Sequence, residues 1–177
     1  MFNQNKVVIL NGIDIFSDHR GYTSISFENA SLKEQGIHFA VAQINQGYSY
    51  KANTLRGLHL QASPYEQAKL VMCLKGSIYS VGVDIRKGSD TFGQYIGEVL
   101  SSENRKIMYI PRGFAHGYLT LDDDVLMQWC CDADFNKEAA CALRYNDPDV
   151  GIEWPKLSGN IIISDKDKNA KFLRDLS

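Results

Sequence analysis

Four histidines are the side chains of this sequence that titrate closest to neutral pH, and one of them has unusual neighbours. His59 lies in the run Leu-Arg-Gly-Leu-His-Leu-Gln, residues 55–61, and Lys69 follows eight residues after that run. Such basic and polar surroundings do not suit an apolar core, and histidine is the side chain whose ordinary pKa suits acid–base work near neutral pH. We therefore predict that His59 is a functional residue and not a core residue. His19 and His38 lack these surroundings, and we expect them to have no part in a site.

His116 ends a second segment of interest, Pro-Arg-Gly-Phe-Ala-His at 111–116. The pattern P-x-G-x-x-H predicts a β-turn followed by a strand with an inward histidine, which is typical of cupin-type double-sheet jelly rolls. His59, His116 and Glu66 could nominally supply three metal ligands. A metal-binding cupin would also carry H-x-H, and here Gln61 stands in place of the second histidine. We therefore predict no metal site.

Short, alternating apolar segments make up most of the chain around these residues, with turn residues between them. In the segment 78–85, small and polar side chains alternate with Tyr79, Val81, Val83 and Ile85, which indicates one wet and one apolar face. Strands that recur about every ten residues favour a sandwich or barrel. The predicted strands are 7–10, 38–44, 69–74, 78–85, 95–100, 106–110, 117–121 and 125–131.

Helix signals are few. Residues 31–35 resemble one turn with a capping box at Ser31 and a stop at Gly36, and residues 165–173 could form another. No repeat or linker divides the chain. We predict an all-β, cupin-like double-sheet jelly-roll barrel with a few short peripheral helices, and a single domain over residues 1–177.

Composition limits the possible functions. The chain has 177 residues and a formal net charge of −2, so we expect no nucleic-acid partner. No apolar run approaches the roughly 20 residues needed to span a bilayer, so we expect no membrane partner. Residues 1–16 lack the basic and apolar regions of a signal peptide. The four cysteines form no C-x-x-C pair and are expected to be free thiols in a reducing cytoplasm, with the adjacent Cys130 and Cys131 on opposite faces of a strand.

From about residue 16 to residue 167, the sequence resembles the dTDP-4-dehydrorhamnose 3,5-epimerase family of nucleotide-sugar enzymes. Each matching block is weak alone, and their joint occurrence in this order is specific. The blocks are DHRGY at 18–22, QIN at 43–45, LRGLHLQ at 55–61, KLV at 69–71, VDIR at 83–86, TFG at 91–93, IPRGFAHG at 110–117, NDP at 146–148, GIEWP at 151–155 and SDKD at 164–167.

The resemblance implies an epimerase for a nucleotide-linked 4-keto-6-deoxy sugar. The ketone acidifies the hydrogens on C3 and C5, so a base can form an enolate and an acid on the opposite face can return a proton. His59 would be the base, Asp167 would orient its ring, and Lys69 would stabilise the oxyanion. No cofactor is implied, because the ketone is already present. The family context is the synthesis of deoxysugars for polysaccharides and related products.

The resemblance also implies how the substrate is held. Arginine suits bidentate contacts with phosphate, and Arg20 would reach the site from the partner subunit of a homodimer. For His116, a hydrogen bond that orders the turn and a direct contact with the substrate are equally good interpretations. The expected substrate-binding residues are Arg20, Gln43, Asn45, Arg56, His116 and Phe135.

Three positions depart from the family pattern. Phe135 occupies the aligned position of the usual tyrosine acid, Ser80 replaces an aspartate that pairs with the lysine, and Ile25 replaces a glutamate near the nucleotide base. Phenylalanine keeps the ring but has no proton to give, and no tyrosine lies close to Phe135 along the chain. We therefore predict inversion at one centre, with the proton supplied by water or by a thiol of Cys130 or Cys131. We leave the nucleotide base of the substrate unassigned.

Two other functions share these residues. A catalytically degenerate sugar-nucleotide binding protein would keep His59 and turn nothing over. A 3,4-ketoisomerase on the same barrel would use a histidine base and move the carbonyl group. The G-L-H-x-Q block at 57–61 and the blocks around 146–155 favour the epimerase.

Overall fold

A computed structural model describes residues 5–11 and 14–176 of the chain, and two antiparallel sheets face each other in it. The first sheet has the strand order β1-β9-β6-β11-β4. Its strands are β1 (Val8–Leu10), β4 (Gln43–Ser49), β6 (Lys69–Lys75), β9 (Ile107–Ile110) and β11 (Val125–Cys131).

The second sheet has the order β12-β5-β10-β7-β8, and β13 runs parallel to β5 beside it. Strand β10 lies between β5 and β7, which sets His116 directly opposite His59 in the ladder. Its strands are β5 (Thr54–Gln61), β7 (Ser77–Asp84), β8 (Tyr95–Ser101), β10 (Phe114–Thr120), β12 (Ala140–Ala142) and β13 (Ile162–Ile163).

The remaining elements are small and peripheral. Strands β2 (Ile15–Asp18) and β3 (Gly21–Ser24) form a separate exposed hairpin. Helices α1 (Asn29–Glu34) and α2 (Asp165–Lys168) have one to two turns, and a 3₁₀ turn covers Leu173–Asp175.

One apolar core lies between the sheets and two lie on their outer faces. Period-2 alternation separates them: Val71 and Met127 point between the sheets, whereas Leu70 and Cys130 of the same strands pack outward with α1. Val81 packs on the outer face of the second sheet against the C-terminal part of the chain. The predicted all-β, cupin-like double-sheet jelly roll is confirmed, and Cys130 and Cys131 lie on opposite faces as expected.

Several predicted boundaries are wrong. The predicted strand 38–44 begins only at Gln43, the strand predicted at 117–121 begins earlier at Phe114, and the segment 165–173 is one helical turn and a later 3₁₀ turn. Helix α1 starts after Glu28, and Ser31 lies inside it and donates to the Glu28 carboxylate, so no capping box forms at Ser31. Gly36 does end the helix, with a φ of 75°.

The most important omission is β5, which carries His59 and was not predicted as a strand. Gly57 interrupts its alternation with a φ of 106°. A Cβ atom at Gly57 would lie 2.6 Å from the His116 carbonyl oxygen, so only glycine lets β5 and β10 come this close. Gly57, which breaks the alternation by which β5 could have been predicted, therefore lies beside His59 and His116.

Candidate active site

His59 and Asp167 form the central pair of the site. The Nε2 atom of His59 lies 2.7 Å from Oδ1 of Asp167. The other carboxylate oxygen accepts a hydrogen bond of 3.1 Å from the Gly57 backbone N–H. The Asp167 side chain is 6% exposed, whereas that of His59 is 45% exposed. A buried carboxylate that accepts from Nε2 leaves the lone pair of Nδ1 on a ring that solvent or a ligand can reach.

The C-terminal part of the chain brings this carboxylate to β5. Strand β13 pairs with the start of β5, with Ile162 opposite Thr54 and Ile163 opposite Leu55. The next residue, Ser164, caps α2 by accepting a 3.2 Å hydrogen bond from the Asp167 N–H. The short helix therefore has the geometry that points Asp167 at His59.

His116 is buried and is bonded to Ser80 rather than to a turn. Its Nε2 atom lies 3.1 Å from the Ser80 hydroxyl, which replaces the aspartate expected from the family. Burial lowers the pKa of His116 well below the usual value of 6.5, and the nearby Lys69 and His59 add to this effect. His116 is therefore neutral at neutral pH, and it lies in the wall of the cavity beside His59.

Lys69 lies on the facing sheet close to the His59 backbone, and it lines neither of the two cavities that His59 lines. Its Nζ atom lies 3.5 Å from the His59 carbonyl oxygen. Burial lowers the pKa of Lys69, an effect that the nearby Cys131 opposes. In the part of the chain that the structure describes, no carboxylate lies within ion-pair distance of Lys69.

Two neighbouring cavities open at this end of the sandwich, with volumes of about 700 and 400 Å³. Both are lined by His59, Trp129 and Lys166. Arg56 lies at the larger one and donates to Ser49 Oγ and to the Tyr48 carbonyl oxygen at 3.3 and 3.1 Å.

The smaller cavity brings together three more of the predicted residues. The Gln43 side-chain amide donates to the Asn45 side chain, and the Gln43 Oε1 atom accepts from the Phe135 backbone N–H at 2.9 Å. Phe135 is 59% exposed at the rim. Neither Ser80 nor His116 lines this smaller cavity, whereas His116 lines the larger one.

Other predicted residues lie elsewhere in the single chain. Arg20 is on the turn of the exposed β2–β3 hairpin, where it pairs with Asp18 at 2.6 Å, and it lines neither cavity. His19 and His38 are exposed. Ile25 lines a different cavity of about 230 Å³ beside α1.

Sequence reasoning missed two aromatic residues of the cavity wall, Tyr118 and Trp129. No tyrosine lies close to Phe135 along the chain, whereas the fold places Tyr118 of β10 in the wall of the larger cavity. The available signal was strand alternation, because Tyr118 lies two residues after His116 and therefore on the same face. Lys166 also lines both cavities, although the sequence analysis gave it no role beyond its place in the SDKD block at 164–167.

Some general properties can be read from residues 5–11 and 14–176. In these residues no three His, Cys, Asp or Glu side chains are grouped closely enough to hold a metal ion. No helix among them is long and apolar enough to cross a membrane. All four cysteines are free thiols, three of them buried.

Comparison with known proteins gives consistent matches. The family model described as dTDP-4-dehydrorhamnose 3,5-epimerase matches residues 5–175. A curated dTDP-4-dehydrorhamnose 3,5-epimerase from Methanothermobacter thermautotrophicus is 40% identical over 163 residues, which cover 92% of this chain and 87% of that protein.

Two solved structures show the same likeness in three dimensions. A dTDP-6-deoxy-D-glucose-3,5-epimerase from Legionella pneumophila, in complex with dTDP-4-keto-L-rhamnose, has a TM-score of 0.88 at 36% identity, covering 97% of this chain and 95% of that one. A 3′-monoepimerase from Streptomyces bikiniensis, in complex with dTDP-quinovose, has a TM-score of 0.86 at 32% identity, covering 95% and 84%. The similar structures thus include an enzyme named for two centres and an enzyme named for one.

Proposed function

Because the chain belongs to the dTDP-4-dehydrorhamnose 3,5-epimerase family, we propose that it inverts one carbon, C3 or C5, of a nucleotide-linked 4-keto-6-deoxy sugar. The observation that carries this proposal is the His59–Asp167 pair, held at 2.7 Å in the wall of the larger cavity. A histidine held by a carboxylate at the mouth of a cavity is suited to taking a proton from a carbon acid.

The first step is removal of a proton from the carbon next to the ketone. The lone pair on Nδ1 of His59 accepts it, and Asp167 stabilises the resulting imidazolium ion. The electron pair of the broken C–H bond moves into the ring as an enolate, which places negative charge on the ketone oxygen. The burial of Asp167 and its second hydrogen bond from Gly57 keep the imidazole in one orientation throughout.

The enolate oxygen needs a positive or hydrogen-bonding partner. Lys69 supplies the charge from the facing sheet, close to the His59 backbone. His116, neutral and bonded to Ser80, is suited to a hydrogen bond rather than an ion pair. This division leaves Lys69 as the main electrostatic group for the oxyanion.

The diphosphate and sugar are held by the rim. Arg56 and Lys166 bring positive charge to the cavity, and Gln43, Asn45 and the ring of Phe135 provide polar and aromatic contacts. The assembly that we propose is a homodimer, in which Arg20 of each chain reaches the cavity of the other. The exposed β2–β3 hairpin, with the Arg20 side chain 79% exposed, supports that role.

Inversion at one centre follows from Phe135. Its ring cannot return a proton, so the rim of the smaller cavity offers no acid at that position. We assign no particular nucleotide base to the substrate, because Ile25 offers no acceptor for a base N–H.

The test is incubation in heavy water with 4-keto-6-deoxyglucose linked to dTDP, UDP, CDP or GDP, followed by NMR at C3 and C5. Deuterium entry at one carbon with inversion supports the proposal, and entry with inversion at both carbons contradicts the single-centre part. His59→Asn is expected to abolish exchange, and His38→Asn is the matched control because His38 is exposed.

The same experiment separates the alternatives. Measurable binding without exchange for every nucleotide would contradict the enzyme and favour a sugar-nucleotide binding protein. Migration of the carbonyl to C3 would indicate a 3,4-ketoisomerase. Either result would overturn the proposed epimerase.

A further inference from the structure

Inversion needs a proton donor on the face of the sugar opposite His59. The cavity lies between the two sheets, and His59 approaches it from the second sheet. A donor for the opposite face must therefore place its proton near the inner face of the first sheet, where β4 and β11 pair.

The first sheet's own aromatic residue at this place is unsuitable. Trp129 lines both cavities together with His59. Its indole N–H donates a hydrogen bond but does not release a proton near neutral pH. The residue of β11 that lines both cavities is thus a ring and not an acid.

Tyr118 places a phenol hydroxyl at the same location from the other sheet. It starts on β10, two residues after His116, and its ring stacks on His116 with centroids 6.2 Å apart. Its hydroxyl crosses the sandwich to β4: a Cβ atom built on Gly47 would lie 3.2 Å from that hydroxyl and 3.4 Å from the Trp129 ring. The phenol hydroxyl and the Trp129 ring therefore both lie close to Gly47 of β4, in the wall of the larger cavity.

We propose that Tyr118 is the acid that returns the proton to the substrate on the face opposite His59. This inference rests on the proposed epimerase function. It assigns the one remaining acid to a different strand of the fold: Phe135 leaves the smaller cavity without an acid at that position, and Tyr118 supplies one at the larger cavity for the single inversion.

The surroundings of Tyr118 suit a proton donor. Burial raises its pKa above the usual value of 10, so the phenol holds its proton at neutral pH. The Arg56 charge and the Ser49 hydroxyl act in the opposite direction and favour the phenolate left after transfer, and Arg56 is itself bonded to Ser49. The other titratable groups near the ring are Cys73, which raises its pKa, and the neutral His116.

The protons and electron pairs of the proposed steps balance with the substrate, the two side chains and water. His59 takes H⁺ from carbon, and the electron pair of that C–H bond becomes the enolate. The C=C pair of the enolate then forms a new C–H bond with the Tyr118 proton, the ketone re-forms, and the O–H pair remains on the phenolate. Water returns a proton to Tyr118 and takes one from His59.

Cys131 is the competing donor. Its thiol lines the smaller cavity, where burial raises its pKa to about 11. It does not line the larger cavity, which holds Asp167, His116 and Tyr118 with His59. The geometry therefore favours the phenol, and the two donors can be separated by mutation.

The experiment compares Tyr118→Phe with Tyr109→Phe in heavy water, using the nucleotide-linked 4-keto-6-deoxyglucose that the wild-type protein turns over. Both tyrosines are 5% exposed, and burial raises the pKa of both, but Tyr109 packs in the outer core of the first sheet. Tyr118→Phe is expected to lower inversion about 100-fold or more while His59-dependent exchange with retention stays within a few-fold. Tyr109→Phe should leave both rates near wild type.

Three results would overturn the inference. Inversion in Tyr118→Phe within about twofold of Tyr109→Phe would remove Tyr118 from the reaction, and a loss of inversion in Cys131→Ser alone would assign the step to the thiol. Parallel loss of exchange and inversion in folded Tyr118→Phe would show a merely structural role.

If Tyr118→Phe does not fold, 3,5-difluorotyrosine at position 118 keeps the hydroxyl and makes it more acidic. The alkaline limit of inversion should then move to lower pH while that of exchange stays in place, and an unmoved limit contradicts the inference. Absence of any turnover by the wild-type protein would instead contradict the proposed function itself.

Discussion

The two walls of the cavity hold their polar groups in different ways. On the second sheet, His59 is bonded to Asp167, Asp167 accepts from Gly57, and His116 is bonded to Ser80. On the first sheet, Gln43 is bonded to Asn45 at the smaller cavity. Lys69 of the same sheet lines neither cavity and has, in the described part of the chain, one side-chain hydrogen bond, of 3.5 Å to a backbone oxygen.

The same contrast separates the aromatic residues. Trp129 of the first sheet presents an apolar ring, and Phe135 at the rim is 59% exposed. The wall that removes the proton is thus tightly positioned, even though Ser80 in that wall departs from the family pattern. Phe135 is the departure at the rim. We expect substitutions on the His59 side to abolish the chemistry and those on the other side to redirect it.

The largest effect is expected from Asp167→Asn, which breaks the tightly positioned wall. An amide can donate to Nε2 and stabilise the wrong tautomer of His59, so exchange and inversion should both fall by roughly 10²–10⁴-fold. Steady-state kinetics and deuterium exchange measure this loss. Asp165→Asn, exposed on the same helix, is the control, and an equal loss there would contradict the specific role of Asp167.

Lys69→Met tests the looser wall. Removing the charge that faces the enolate oxygen should lower kcat by about 10²–10³-fold and change KM less. Lys75→Met, at the exposed end of the same strand, should have no comparable effect. A change confined to KM would mean that Lys69 binds substrate without stabilising the enolate.

Phe135→Tyr sharpens the comparison by restoring a phenol at the rim. We expect up to about a tenfold gain in turnover, or a second inverted centre, because a new acid faces the smaller cavity. NMR of the product in heavy water distinguishes these results. Phe92→Tyr, far from the cavities, is the control, and no change in Phe135→Tyr would refute our account of that position.

The smallest effect is a pH dependence of stability from His116. Its pKa is lowered in the folded protein, so the unfolded chain binds the extra proton first as pH falls below about 6.5. The stabilisation is therefore present above that pH and is lost below it, with a limiting slope of about 1.4 kcal/mol per pH unit. Between pH 7.5 and 5.5, urea unfolding of the wild type should lose about 1 kcal/mol more than that of His116→Gln. Equal losses would show that His116 titrates normally.

Much of the fold could be predicted because strand alternation is a local property. Segments such as 69–74 and 125–131 lie within one residue of their observed strands. Strand β5 could not be predicted in this way, because Gly57 breaks its alternation to allow the close approach to β10. The observed boundaries of β4 and β10 differ from the predicted ones for a related reason. The strands on either side, and not the local composition, decide where pairing begins.

For the site, residue types and ordered motifs in the sequence determined the family, the candidate base His59 and the candidate charge Lys69. The family resemblance also predicted that Asp167 orients His59, 108 residues away along the chain. Only the tertiary structure decided two further contacts: Ser80 bonds His116, and the Tyr118 hydroxyl reaches Gly47 of β4. The physical reason is that sequence periodicity specifies the face on which a side chain lies. Which faces oppose each other across the cavity depends on sheet order and on the packing of distant segments.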